Sequence, residues 1–172
     1  MRAAASGHSF TDIACTDGVM VRLDRMNRVL EVDRAAGQPP GYQMNAVNAL
    51  VNGWLYDSDQ ALYGEADKWA TPLEFLTKQR GDCEDYVICK YESLRRLGVP
   101  EDDMRLVTVE DMASGLAHMV LVVKSDDALH VLDNQHVLVK SPDELTLPNG
   151  EPRYRPMYAM NRNGTWLFTD AT

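Results

Sequence analysis

The clearest periodicity in the chain runs from Asp82 to Leu97. Tyr86, Val87, Cys89/Lys90, Tyr91, Leu94 and Leu97 recur at helical spacing, Gly98 follows as a stop, and Pro100 closes the exit. Asp82 is a good N-cap residue, which sets Cys83 at the first helical position among unpaired backbone N–H groups. That place favours a thiolate, the reactive form of cysteine. Asp82, Glu84 and Asp85 oppose it electrostatically. Either the cysteine is an ordinary one, or a cation neutralises the acids.

Upstream, Tyr42 to Tyr56 predicts a helix with Met44, Val47, Leu50, Val51, Trp54 and Leu55 on its apolar side, entered from the loop Gly37 to Gly41. Residues 57–59 and 64–67 read as polar turns. Thr71-Pro72-Leu73-Glu74 is a strong helix start, with Thr71 as N-cap, Pro72 at the first position and Glu74 completing a capping box. This short helix is expected to run to Arg80 and stop at Gly81, a sharp turn that would expose Cys83. Residues 19–32 are ambiguous between strand and helix, and residues 1–15 read as loosely structured.

After Pro100 the period changes. Met104 to Val109 is a strand, His118 to Val123 and Ala128 to Asp133 form a hairpin, and Val137 to Val139 adds a short strand. Tyr154 to Met160 and Thr165 to Phe168 make a last hairpin. Helices first and strands later predict an α+β fold with an antiparallel sheet.

Composition narrows the function classes. A chain of 172 residues, 45% hydrophobic, is long enough to bury one real core without disulfide staples. A net charge of −9 argues against nucleic acid or an anionic membrane as the main partner. No apolar run approaches the roughly 18–20 residues that span a bilayer. No apolar stretch follows Met1 to His8, so the sequence is read as lacking a signal peptide, either cytoplasmic or a mature form. Cys15, Cys83 and Cys89 are an odd and sparse set rather than a disulfide framework. Cys83 and Cys89, six residues apart on a helix, point about 240° apart and are not expected to pair.

The hairpin supplies the candidate chemistry. If the four residues Lys124 to Asp127 close it, Met119 faces Leu132, Val123 faces Ala128, and His118 sits directly opposite Asp133. Opposed side chains share one face with Cβ atoms about 4.5–5.5 Å apart. An aspartate at that distance orients an imidazole and stabilises its protonated form, as a thiol nucleophile requires. A slip of one residue would put the two on opposite faces. His136 is a competing base without an opposed acid, and His130 falls on the other face of the hairpin.

Gly81-Asp-Cys-Glu-Asp-Tyr86, Lys90-Tyr91, Leu97-Gly98, Arg105-Leu106, His118-Met-Val-Leu121 and Val131-Leu-Asp-Asn134 resemble the bacterial transglutaminase-like cysteine proteinases, of which the LapG-type periplasmic adhesin proteases are the best known. Tyr63-Gly64, Asp67-Lys-Trp69, Pro72 and Tyr158-Ala-Met-Asn161 are similar too. The likeness covers about residues 42–168. It implies a papain-like, transglutaminase-like domain over 42–172, preceded by a partly ordered extension over 1–41. In that core the cysteine sits at a helix N-terminus packed on an antiparallel sheet.

Carried over residue by residue, the resemblance implies Cys83 as nucleophile, His118 as general base and acid, and Asp133 as its orienting partner. It implies Ca²⁺ held by Asp82 and Glu84, with Asp85 as a further ligand, which matches the electrostatic conflict at Cys83. It also implies a periplasmic location, a protein substrate such as a biofilm adhesin, and an inner-membrane receptor as a regulatory partner. Two other functions fit the same residues: acyl transfer to an amine, as in true transglutaminases, and a calcium-responsive binding module with an idle triad.

Overall fold

The structure, a computed structural model, describes residues 35–168; Cys15 and the ambiguous stretch over 19–32 lie outside the described residues. Helix α1 spans Pro40–Asn52. It starts two residues earlier than the apolar pattern predicts, because a proline at N1 has helical φ and needs no hydrogen-bond acceptor. It also stops earlier, at Gly53, and the chain turns out into the short strand β1, Leu55–Tyr56. Between the polar turns expected at 57–59 and 64–67 lies a five-residue helix α2, Asp59–Tyr63, which begins within the first of them and is ended by Gly64 at φ 71°.

Helix α3, Pro72–Lys78, carries the complete capping box: the Glu74 N–H donates to Thr71 Oγ1 while the Thr71 N–H donates to the Glu74 carboxylate. It ends before Arg80, with Gln79 in the left-handed conformation. Arg80–Gly81 then forms strand β2, parallel to β1. Helix α4, Cys83–Arg96, follows at once. Asp82 occupies its N-cap position, but the Asp82 side chain makes no capping hydrogen bond. The expected cap is therefore backbone geometry only, and the carboxylate is free for other partners.

Five antiparallel strands follow: β3 Met104–Asp111, β4 Leu116–Ser125, β5 Ala128–Leu132, β6 Tyr154–Asn161 and β7 Gly164–Leu167, in the order β5-β4-β3-β6-β7. The expected strand over 137–139 is reduced to a single bridge between Val131 and Lys140. One face of the sheet packs α4, with α3 and α1 in the same core: Met104, Met119, Leu121, Val123 and Leu132 share it with Phe75 of α3, Tyr86, Val87 and Leu94 of α4, and Met44 and Val47 of α1. The other face carries Val107, Val109, Val120 and Val131 under Leu145.

The β4–β5 register differs from the expected one. Leu121 pairs with Leu132, Val123 with His130 and Ser125 with Ala128, so the turn is only Asp126-Asp127, both at positive φ (51° and 59°). Such a two-residue turn with both φ positive matches the twist of the strands, and aspartate tolerates it better than most residues. Lys124 and Ser125, read as loop, extend the strand instead. The difference is two residues, an even number, so side chains keep their faces. Asp133, one step past the last pair, stands opposite Val120, and His118 becomes its diagonal neighbour.

Candidate active site

Beneath the register change the His–Asp pair is intact. His118 Nε2 lies 2.9 Å from Asp133 Oδ1, with both side chains buried. The Gln135 N–H also donates to Oδ1 at 2.9 Å, and the Tyr154 hydroxyl donates to Oδ2. Burial works against the charge on Asp133. The hydrogen bond and charge of His118, with those other donors, outweigh it and hold the carboxyl down at about 2. His136, read as a competing base without an opposed acid, has Nε2 3.8 Å from Asp133 Oδ2.

The loop that carries Asp133 is fixed from behind by α1. Asn52 Nδ2 donates to the Asp133 and His136 carbonyls, both at 2.8 Å. Asn48 Nδ2 donates to the carbonyls of His136 at 2.9 Å and Val137 at 3.0 Å. These side chains satisfy a loop backbone that no strand pairs. Neither asparagine stands out in the sequence, since only their one-turn spacing on an otherwise apolar face marks them.

Cys83 sits at the first position of α4, partly buried, with the Met119 backbone N–H facing its sulfur from β4. No hydrogen bond joins it to His118 among the described residues; the thiol instead donates to Glu84 Oε2 at 3.2 Å. Burial, then the charge and hydrogen bond of Glu84, push the thiol up to about 12. Glu84 is itself pushed up to about 7, chiefly by burial. In this charge state the sulfur is held as a thiol. Cys83 and Cys89 are both free, and Cys89 is a buried core residue.

The acids around Cys83 divide. Asp82 and Glu84 come together with Asp59, all three offering carboxylate oxygens within 4.8 Å of one another. Asp85, expected among these ligands, lies outside this group: its Oδ1 accepts the Ala70 N–H at 2.7 Å, while its Oδ2, also buried and without a partner among the described residues, packs beside Gly81. Asp59 was expected only as part of a polar turn. It is buried because β1 and β2 run in parallel and deliver Asp59 and Asp82 to the same end. Oδ1 of Asp59 and Oδ1 of Asp82 are buried and lack hydrogen-bond partners among the described residues. Hard, unsatisfied oxygen donors of this kind fit a Ca²⁺ ion.

A cysteine at a helix N-terminus, against an antiparallel sheet that bears a hydrogen-bonded His–Asp pair, defines a thiol enzyme of the papain-like and transglutaminase-like class. The chain belongs to the bacterial transglutaminase-like cysteine proteinase family (BTLCP), whose profile matches residues 20–167. Calcium-bound LapG from Legionella pneumophila superposes with a TM-score of 0.69 at 29% identity, covering 81% of this chain and 75% of that one. The EGTA-treated form of the same protein gives 0.69 at 28%, covering 83% and 74%.

A separate, short likeness links 37 residues, 22% of this chain, to the L-gulono-1,4-lactone dehydrogenase of Mycobacterium tuberculosis at 62% identity. The mouse L-gulonolactone oxidase matches over 38 residues at 50%. The chain spans about a tenth of the length of these curated relatives. Among the described residues no helix is long and apolar enough to cross a membrane.

Proposed function

We propose that this chain is a cysteine endopeptidase with Cys83 as nucleophile, His118 as general base and acid, and Asp133 as the group that orients His118. The observation that carries the proposal is the buried His118–Asp133 hydrogen bond together with a cysteine at the start of α4 whose sulfur meets the backbone N–H of Met119, the residue after His118. Because Nε2 is engaged by Asp133, Nδ1 is the nitrogen left to serve the sulfur.

In the reaction, His118 Nδ1 takes the thiol proton as the sulfur attacks the scissile carbonyl carbon. The same proton then passes to the leaving amine as the C–N bond breaks, leaving a thioester. Water, giving its proton to Nδ1, attacks the thioester; the C–S bond breaks, and the proton returns to the sulfur. Developing charge on the carbonyl oxygen lies near the N-terminal N–H groups of α4.

For this to begin, the thiol must leave Glu84. Asp59, Asp82 and Glu84 would hold Ca²⁺, which supplies positive charge against the carboxylates that now suppress the thiolate. Calcium dependence is thus part of the proposal, supported by the unsatisfied oxygens and by the likeness to a calcium-bound relative. A periplasmic site of action, a surface adhesin as substrate and an inner-membrane receptor as partner complete it. These rest on the LapG-type motifs.

The test is site-by-site alkylation of the cysteines with iodoacetamide near neutral pH, read by mass spectrometry, with calcium and with chelator. We expect Cys83 to label faster than Cys15 and Cys89 in calcium, and to slow in His118→Ala and in chelator. Cys83 labelling no faster than the other two in either condition would overturn the enzyme reading. Incorporation of an amine, in place of a new carboxyl terminus, would redirect it to acyl transfer.

A further inference from the structure

Tyr154 enters the site from the sheet rather than from the motifs. It is the first residue of β6 and pairs with Asp111 of β3. Its hydroxyl donates to Asp133 Oδ2, the oxygen that His118 does not use. Its ring centre is 5.7 Å from that of His118. Desolvation, then the hydrogen bond to Asp133, raise the phenol above its ordinary range, so it remains a donor.

The neighbouring residue locks this ring. The Arg153 guanidinium lies 5.2 Å from the Tyr154 ring centre and grips both oxygens of Asp111, at 3.0 and 3.2 Å. Asp133 can turn about its side-chain bonds, and a second imidazole, His136, stands 3.8 Å from Oδ2. Whatever fills Oδ2 decides which way the carboxylate presents Oδ1.

We propose that Tyr154 is a positioning residue for the His118–Asp133 pair. By donating to Oδ2 it anchors that oxygen, fixes Oδ1 towards His118 Nε2, and so keeps Nδ1 as the nitrogen available to Cys83. This rests on the reading of Cys83 and His118 given above, deepened by one residue that acts through them.

The test uses the whole chain and the rate of Cys83 alkylation by iodoacetamide in wild type, Tyr154→Phe, His118→Ala and the double variant, with ¹⁵N NMR of the histidine rings. Tyr154→Phe removes one oxygen and retains the ring. We expect it to slow Cys83 labelling by about tenfold, the scale of one buried charge-assisted hydrogen bond. We also expect the neutral His118 ring to shift from the Nε2–H tautomer towards a mixture. In the His118→Ala background Tyr154→Phe should slow labelling no further, because its effect passes through the imidazole. A merely structural tyrosine would slow both backgrounds alike and leave the tautomer unchanged, and that result overturns the proposal. If His118→Ala itself leaves labelling unchanged, the enzyme reading fails and the inference fails with it. If only Tyr154→Phe is silent, the inference alone is lost.

Discussion

Lys90 gives the sharpest test of how this core is balanced. It projects from the middle of α4 with no exposed surface, its Nζ has no hydrogen-bond partner among the described residues, and the Tyr86 ring centre is 5.9 Å from it. Burial pushes its pKa from 10.5 down to about 7, opposed by the negative charge of Asp133. At about 1.4 kcal/mol per tenfold change in proton affinity, the ammonium form costs the fold about 5 kcal/mol at most. The native state releases this proton near pH 7, while the unfolded chain keeps it to 10.5. Between those values the unfolded state binds more protons, so stability rises with pH; below pH 7 the cost is present in full.

From pH 6 to pH 8.5 this group alone should add about 2 kcal/mol of stability. Lys90→Met keeps the length of the side chain and removes the charge. It should be more stable than wild type by about 3–5 kcal/mol at pH 6, with the advantage shrinking by about 2 kcal/mol at pH 8.5. Urea unfolding at each pH reads the difference, in which the titrations of Glu84, Asp85 and the cysteines cancel because both proteins share them. An advantage that is absent, or that does not change with pH, would refute the reasoning, since it would mean the ammonium is compensated in the fold.

Three further outcomes follow from the geometry beside Cys83. Asp59→Asn should weaken Ca²⁺ binding, read by titration calorimetry, by at least about tenfold, because one of three carboxylates is lost. Asp85→Asn, which alters a side chain turned to Ala70, should leave that affinity within about twofold of wild type. Equal losses in the two variants would bring Asp85 into the ion's shell, and no loss in Asp59→Asn would place the ion elsewhere. Gly81→Ala should lower thermal stability by about 1–3 kcal/mol, since a Cβ there would press on the Asp85 carboxylate and come within 2.9 Å of Phe75 Cδ2. An unchanged melting temperature would show that the β2–α4 junction yields freely.

Local signals carried much of this architecture. Thr71, Pro72 and Glu74 announce α3 because a capping box is written within four residues. The face alternation of His118 and Asp133 survives a misjudged turn because the error is even. What stayed hidden depends on distant pairing. Asp126-Asp127 lacks the glycine that usually marks a two-residue turn, so the local sequence favours a longer loop. Two-residue parallel strands leave no period, and without β1 and β2 nothing in the sequence brings Asp59 to Asp82. Tyr154 and Asn52 reach Asp133 across 21 and 81 residues, whereas the helical period already offers Lys90 or Cys89 to the apolar face and only the structure shows both buried there.

The ties that hold Asp133 have a consequence for how the molecule comes into being. Asn52 precedes that residue by 81 positions and Tyr154 follows it by 21, so the acid loop is not fully tied until segments on both sides of it have docked. Contacts of such separation form late, after the loop-closure cost has been met. A chain emerging from the ribosome therefore carries Cys83 long before it carries an aligned imidazole. On the proposed role of Cys83, its reactivity would await the completion of β6, and synthesis would itself be an interval of quiescence.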